Sequence, residues 1–292
     1  MAVSATKLDI PQDYSREFVL LSEEGQSSPI GLMIDEGLRI IQDNKEFEFL
    51  SRAVNKRMDY LYKNRLLEQI KAKLGIERIR KHLEENRKVV IFHTYNEGIT
   101  SHPFDFSYLG DPEFMEKMGS EITVAAQEAR LFNQLYPQYK KIDLRGLTNV
   151  PQAIQNAFGE EVVLFNGAIP KAQRAENIKK FNDDNSTVSI IVVNIAAGEA
   201  GLNLHDTTGG NQRVLIQLGL PIRPTSAIQS EGRIYRTGQL TNAVFEYFVT
   251  HFNFEKYAFG SKINERSGTA ENLAMGNEAR DRSEERRVGK EC

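Results

Sequence analysis

Two short stretches hold the side chains best suited to chemistry. In RVLIQLGLPIRPTSAIQSEGRIYRTGQ, Pro224 and Thr225 form a helix start with Thr225 or Ser226 as N-cap, and Gly238 reads as a C-cap or turn glycine. On a helix there, Gln229, Arg233 and Arg236 lie at spacings of four and three and share one face. Two guanidiniums on one short face repel each other, a strain that a polyanion relieves, and a planar Arg fork matches phosphate oxygens two at a time. A triphosphate or a nucleic-acid phosphate is the economical ligand; the alternative is a pair of surface arginines answered by Glu231 or by solvent. The second stretch is SIIVVNIAAGEAGLNLHD, where Gly198 and Gly201 permit a tight turn and close approach to a ligand. Asn203 follows as a polar group aimed out of that turn. Taken alone, a Gly-rich strand-to-helix turn is only a turn.

The elements that must position these residues are short β-branched runs separated by helical stretches: Lys88 to Phe92, Val162 to Gly167, Ser189 to Asn194, Arg213 to Gly219 and Ala243 to Val249. Near-continuous apolar strands alternating with helices indicate an α/β fold, a parallel sheet with helices on both faces. In such sheets ligands gather beyond the carboxyl ends of the strands, where loops and helix N-termini offer free N–H groups. Between the first and second runs lies an interval too long for one crossover helix, with a helical pattern from Glu121 to Leu135; it is read as an insertion over about 100–160.

Upstream, the region 1–87 reads as a helical arm. Asp13 to Glu48 holds nine acids against three bases, and Arg52 to Lys88 holds twelve bases against five acids. Apolar spacing in the basic part predicts two helices broken near Gly75. The basic face reads either as a phosphate-contacting surface, through residues such as Lys71, Lys73 and Arg80, or as a solvated helix face. Residues 280–292 read as a disordered tail, and SEERRVGKEC within it looks like adapter sequence read in frame.

With 292 residues, 40% hydrophobic and 26% charged, the composition excludes collagen-like and wholly disordered classes. A formal charge of −3 argues against coating nucleic acid by bulk charge. The one cysteine, Cys292, excludes an intrachain disulfide and a thiolate metal cluster, and the five histidines lack metal-ligand spacing, so no metal residue is assigned. No apolar run approaches the roughly 18 residues needed to span a bilayer, and no membrane partner is expected. A reducing, cytoplasmic setting follows.

These residues carry a resemblance. AAGEAGLNL and QSEGRIYRTGQ resemble motifs V and VI of superfamily-two helicases and Swi/Snf-like DNA translocases, KVVIFHTYNEG resembles motif IV, and FNGAIPKAQRAENIKKFN resembles the element that follows it. The run from GEAGLNL to RTGQ, with the later FGSKINERSGTAENLAMGNEAR, is similar to the strawberry notch type of helicase C-terminal domain, phage-encoded relatives included. The resemblance spans about Lys88 to Arg280. It implies a RecA-like helicase C-terminal domain over 88–279, the second lobe of an ATP-dependent translocase in a bacterial or phage-infected cell. It also implies that Arg233 and Arg236 are the motif VI arginines, the second being the finger on the γ-phosphate. By the same resemblance, Gly198, Gly201, Asn203, Gln229 and Gly232 line or couple to the ATP site, and Thr94, Tyr95, Gly167 and Arg174 lie near DNA or RNA.

The departures matter equally. No GxxxxGK[ST] occurs, and MIDEG (Met33 to Gly37) lacks the preceding strand and P-loop that would make it a metal-binding box. ATP and Mg²⁺ are therefore expected to be held mainly by an N-terminal RecA-like lobe outside this chain, which reads as a fragment. Two other classes compete. One is a non-catalytic nucleic-acid or partner-binding module; the other is an α/β transferase, disfavoured because no GxGxxG turn is present.

Overall fold

The computed structural model describes residues 16–22, 29–198, 202–219, 229–252 and 255. Its centre is a six-stranded, all-parallel sheet of β1 (Arg16–Leu21), β2 (Lys88–His93), β3 (Val162–Phe165), β4 (Ile190–Asn194), β5 (Arg213–Gln217) and β6 (Val244–Thr250), in the order β1-β6-β5-β2-β4-β3. The five strands expected from sequence are present within two residues at each end. β2, β4 and β5 are buried along their whole length, which is why they read as unbroken apolar runs.

Ten helices accompany the sheet among the described residues: α1 (Ile30–Asp43), α2 (Glu48–Arg57), α3 (Tyr60–Leu74), α4 (Ile76–Glu84), α5 (Pro112–Met118), α6 (Glu121–Leu135), α7 (Pro137–Lys140), α8 (Val150–Phe158), α9 (Lys171–Asn182) and α10 (Ile195–Gly198). From β2 the chain runs outward to the edge strand β3, then back through β4, across β2 to β5 and on to β6. Because parallel crossovers are right-handed, this reversal sends the β2–β3 connection to one face and the later ones to the other. Alternate strand residues divide accordingly. Val89, Ile91, Val192, Ile216 and Phe248 pack under α3, α4 and α8, through Ala72, Ile79 and Ile154. Val90, Phe92, Val193, Leu215 and Phe245 face α9 and the chain after β4 and β5, through Phe181, Leu202, Leu204 and Ile234.

The segment read as a helical arm differs in two respects. Its residues 16–21 form a strand, β1, paired with β6 from Arg16↔Phe245 to Leu21↔Thr250. Its two basic helices, broken as expected beside Gly75, lie directly on the sheet. Gly75 is required by contact: a Cβ there would enter the Phe248 ring. α1 and α2 share a separate core with α5, α6 and α7 of the insertion. Phe132 sits at its middle, with its ring 5.2 to 5.9 Å from those of Phe47, Phe104, Phe106, Tyr136 and Tyr139. Met33 to Gly37 lies inside α1, and a Cβ at Gly37 would strike Phe104, so this stretch is a packed helical turn. None of the described helices is long and apolar enough to cross a membrane.

Candidate nucleotide and nucleic-acid site

The chain after β5 approaches the sheet as a helical turn, 229–231, and then leaves the helix in a series of tight turns over 232–235. The amide of Arg233 donates to Ser230 O at 3.0 Å and that of Ile234 to Glu231 O at 3.1 Å, so the backbone tightens instead of continuing at helical pitch. The expectation that Gln229, Arg233 and Arg236 share one continuous helical face is therefore corrected. Gln229 is exposed, Arg233 is 9% exposed, and Arg236 is half-buried in the turn beyond. Burying Ile234 against the sheet and tying the chain to β5 and β6 accounts for the break.

Two buried polar bonds make that tie. Ser230 Oγ donates to Gln217 Oε1 at 3.3 Å, and Tyr247 Oη donates to Glu231 Oε1 at 2.6 Å. Gln217 Nε2 donates in turn to Gly219 O at 2.7 Å. On the other side, Leu204 N donates to Arg233 O at 2.9 Å, which joins the two stretches singled out above.

Arg236 and Asn203 meet there. Arg236 Nη1 donates to Asn203 Oδ1, Arg236 Nε to Gly232 O at 2.7 Å, and the Arg236 amide to Gln239 Oε1 at 3.0 Å. The backbone carbonyl of Asn203 accepts from Asn182 Nδ2 at 2.9 Å, so its side chain is held at the surface. His205 lies beside them; its imidazole is held below the ordinary histidine range by burial and by the charges of Arg236 and Arg213. The site is cationic, as an anion would need. Gly198 ends α10; Gly201 and the N-cap candidates Thr225 and Ser226 lie outside the described residues. Gly238 has φ +91°, a conformation that favours glycine and fits the turn reading.

The nucleic-acid candidates lie at the carboxyl ends of the strands. Thr94 and Tyr95 follow β2 directly, and their amides donate to the buried carboxylate of Glu68. Asn194, the last residue of β4, donates to Thr94 O at 2.9 Å. Gly167 follows β3 in open space, where a Cβ would meet nothing within 4 Å. Arg174, on α9, stacks its guanidinium 5.4 Å from the Phe165 ring centroid.

Several contributors escaped the sequence reading: Glu68, His93, Asn194, Gln217 and Ser230. Three of them carried a signal, since β2, β4 and β5 each end on a polar residue (His93, Asn194, Gln217) after an apolar run. Lys71 is a correction of the opposite kind. It is fully buried, pairs with Glu255 and donates to Leu218 O at 3.1 Å, so it cannot reach a phosphate from the surface of α3.

One family match bears on this geometry. Residues 135–238 match the helicase conserved C-terminal domain. The matched segment contains Gly167, Arg174, Gly198, Gly201, Asn203, Gln229, Gly232, Arg233 and Arg236, and excludes Thr94 and Tyr95. The chain is 34% identical over 91 residues to transcription termination factor 2 of Drosophila melanogaster, and 27% identical over 129 residues to the DNA repair and recombination protein RAD54B of Homo sapiens. These alignments cover 31% and 43% of the chain but only 8% and 14% of those proteins. Among solved structures it is similar to the C-terminal part of the Fun30 ATPase domain, with a TM-score of 0.42 and 14% identity over 85% of this chain and 88% of that one. It is also similar to the Mss116p DEAD-box helicase domain 2 bound to an RNA duplex, with a TM-score of 0.37 and 15% identity over 67% and 57%. The parallel sheet with helices on both faces is the RecA-like arrangement of helicase C-terminal domains.

Proposed function

We propose that this chain is the second RecA-like lobe of an ATP-dependent nucleic-acid helicase or translocase. One observation carries the proposal: within a helicase C-terminal match, Arg236 and Asn203 come from separate segments and join at a cationic surface. In this reading Arg236 is the finger toward the γ-phosphate and Arg233 sets the turn that presents it. Asn203 orients the guanidinium, and Gln229 couples nucleotide to strand. Thr94, Tyr95, Gly167 and Arg174 hold DNA or RNA along the strand ends. Among the described residues, no three His, Cys, Asp or Glu side chains converge on a metal site. In this reading Mg²⁺ and the β- and γ-phosphates are held mainly by a partner lobe bearing a P-loop, and the sequence resemblance supports an assembly of the strawberry notch, phage-encoded type.

Phosphoryl transfer needs positioning and charge stabilisation more than covalent help from the protein, and an arginine supplied from a second lobe is one way to meet transition-state charge. The test is ATP hydrolysis by the chain alone and by the chain joined to a RecA-like lobe carrying GxxxxGK[ST], each with and without a single strand. The chain alone should match buffer controls, and the joined protein should turn over and respond to the strand. A joined, folded protein that binds ATP yet turns over equally well after Arg236→Ala would replace this reading with that of a binding module.

A further inference from the structure

We infer that Glu68 is a positioning residue for strand contact: from inside α3 its carboxylate holds the Thr94–Tyr95 backbone in the conformation that meets nucleic acid. The inference rests on the proposed role of Thr94 and Tyr95. Its basis is a clasp at one end of the sheet. Glu68 Oε1 accepts from Thr94 N at 2.9 Å and Oε2 from Tyr95 N at 3.1 Å, so each oxygen fixes one of two successive amides. The Thr94 hydroxyl adds a further bond. From the opposite side Asn194 Nδ2 donates to Thr94 O, which leaves the peptide planes on both sides of Thr94 little freedom. Gly219, just past β5, closes the pocket: any side chain there would collide with the Glu68 carboxylate and the Thr94 hydroxyl.

One turn along α3, Lys71 donates to Leu218 O and pairs with Glu255, whose carboxylate accepts from Thr250 N at 2.6 Å. A single face of α3 thereby grips the carboxyl ends of three neighbouring strands, β2, β5 and β6. A buried carboxylate is costly unless its charge is used, and a hydrocarbon would fill the same space more cheaply. The use visible here is acceptance of two N–H groups at the loop proposed to touch the strand. An ionised carboxylate can only accept, whereas its protonated form turns one oxygen into a donor that faces an amide and opposes it. The charged and titratable groups facing it are Lys71 and Tyr60 on the same helix, Glu255 beyond Lys71, and Tyr95 at the loop, which in turn faces Arg65 and Asp59. Burial pushes the Glu68 carboxyl up to about 7 against the pull of the Tyr95 and Thr94 amides and of Lys71, so the clasp loosens within an accessible pH range.

The experiment uses the full chain, a fluorescein-labelled single-stranded oligonucleotide and the backbone amide resonances of Thr94 and Tyr95. Lowering the pH from about one unit above the Glu68 pKa to about one unit below should weaken wild-type affinity by roughly tenfold and move both amides along one titration curve. Glu68→Gln should bind weakly at both pH values without that step. Contributions from other titrating groups persist in the variant, so only the lost step belongs to Glu68. Glu68→Gln that binds as tightly as wild type and keeps the step overturns the inference while leaving the nucleic-acid reading in place. A wild type that binds no strand at either pH overturns that reading, and this inference with it. If Glu68→Gln does not fold, the wild-type titration decides, since amides that do not follow the affinity overturn the inference.

Discussion

Arg236 donates from Nη1 to the Oδ1 of Asn203, a residue 33 positions earlier in the chain. The contact does more than join two segments. With Nε held by Gly232 O at 2.7 Å, the guanidinium is anchored at two of its three nitrogens while the side chain stays half exposed. A cationic fork fixed before any ligand arrives loses little freedom when charge develops beside it.

On the proposed reading, that geometry makes the loss of Arg236 a catalytic defect. In a protein that also carries a P-loop lobe, Arg236→Lys should lower kcat by roughly 10³ with little change in nucleotide affinity, because the finger acts on transition-state charge. Lysine cannot restore both anchors, since its ammonium is a point charge on a flexible stem. ATPase at saturating nucleotide, together with nucleotide binding by the same variant, separates the two effects. Near-normal kcat would remove Arg236 from the nucleotide.

Arg233 and Gln229 should behave differently from Arg236 and from each other. Arg233 is buried in the turn whose carbonyl receives Leu204 N, so Arg233→Ala should lower the unfolding free energy by roughly 2 kcal/mol or more as well as slowing turnover. Gln229 is exposed, so Gln229→Ala should leave stability within roughly 0.5 kcal/mol of wild type while reducing stimulation by a strand. Urea unfolding and ATPase with and without oligonucleotide check both. A destabilised Gln229→Ala would show that this side chain supports the fold.

How far the sequence revealed this site follows from burial. β2, β4 and β5 are covered on both faces, so their apolar runs announce them, and the break at Gly75 shows in the spacing of Leu66, Ile70, Leu74 and Ile79. β1 is an edge strand whose Glu17, Phe18 and Leu20 are exposed, and its pattern does not separate it from the charged helices that follow. The tight turns at 232–235 were hidden because the spacing of Arg233 and Arg236 is equally regular in a helix. Glu68 and Lys71, at i and i+3, read in sequence as part of a solvated charged face; only the fold shows that both side chains are buried.

The burial of Lys71 separates two lysines that sequence treats alike. Lys71→Glu should unfold the chain or lower its stability by roughly 3–5 kcal/mol, since it leaves Glu255 and Glu68 facing a third buried acid. Lys73→Glu should change stability by no more than roughly 0.5 kcal/mol, and it should flatten the log–log dependence of strand affinity on salt if this flank releases counterions. Denaturant melts and salt titrations of the two variants decide. An unchanged slope with Lys73→Glu returns the α3 surface to a solvated face.

Opposed pKa shifts at the carboxyl ends of the strands make a last, quantitative prediction. Burial raises the Glu68 carboxyl from 4.5 to about 7, so below about 4.5 it contributes stability that is lost as the pH rises through about 7. Burial lowers His93 from 6.5 to about 4, against the pull of its bond to Tyr95 O, so its contribution is complete above 6.5 and is lost as the pH falls through about 4. Each shift corresponds to about 3 kcal/mol. Between 4.5 and 6.5 the unfolded chain binds the His93 proton while the folded chain binds the Glu68 proton, and the two slopes cancel. Glu246 and Asp206 act below that window: burial raises each carboxyl, but His82 and Arg78 outweigh it at Glu246, and Thr241, Thr208 and Gly209 outweigh it at Asp206. Wild-type stability should therefore be nearly flat across the window. Glu68→Gln removes one slope, so its stability should climb by about 3 kcal/mol from the acidic to the neutral end, as measured by urea unfolding at several pH values. A variant as flat as wild type would mean that Glu68 ionises in the folded protein as it does in the unfolded chain.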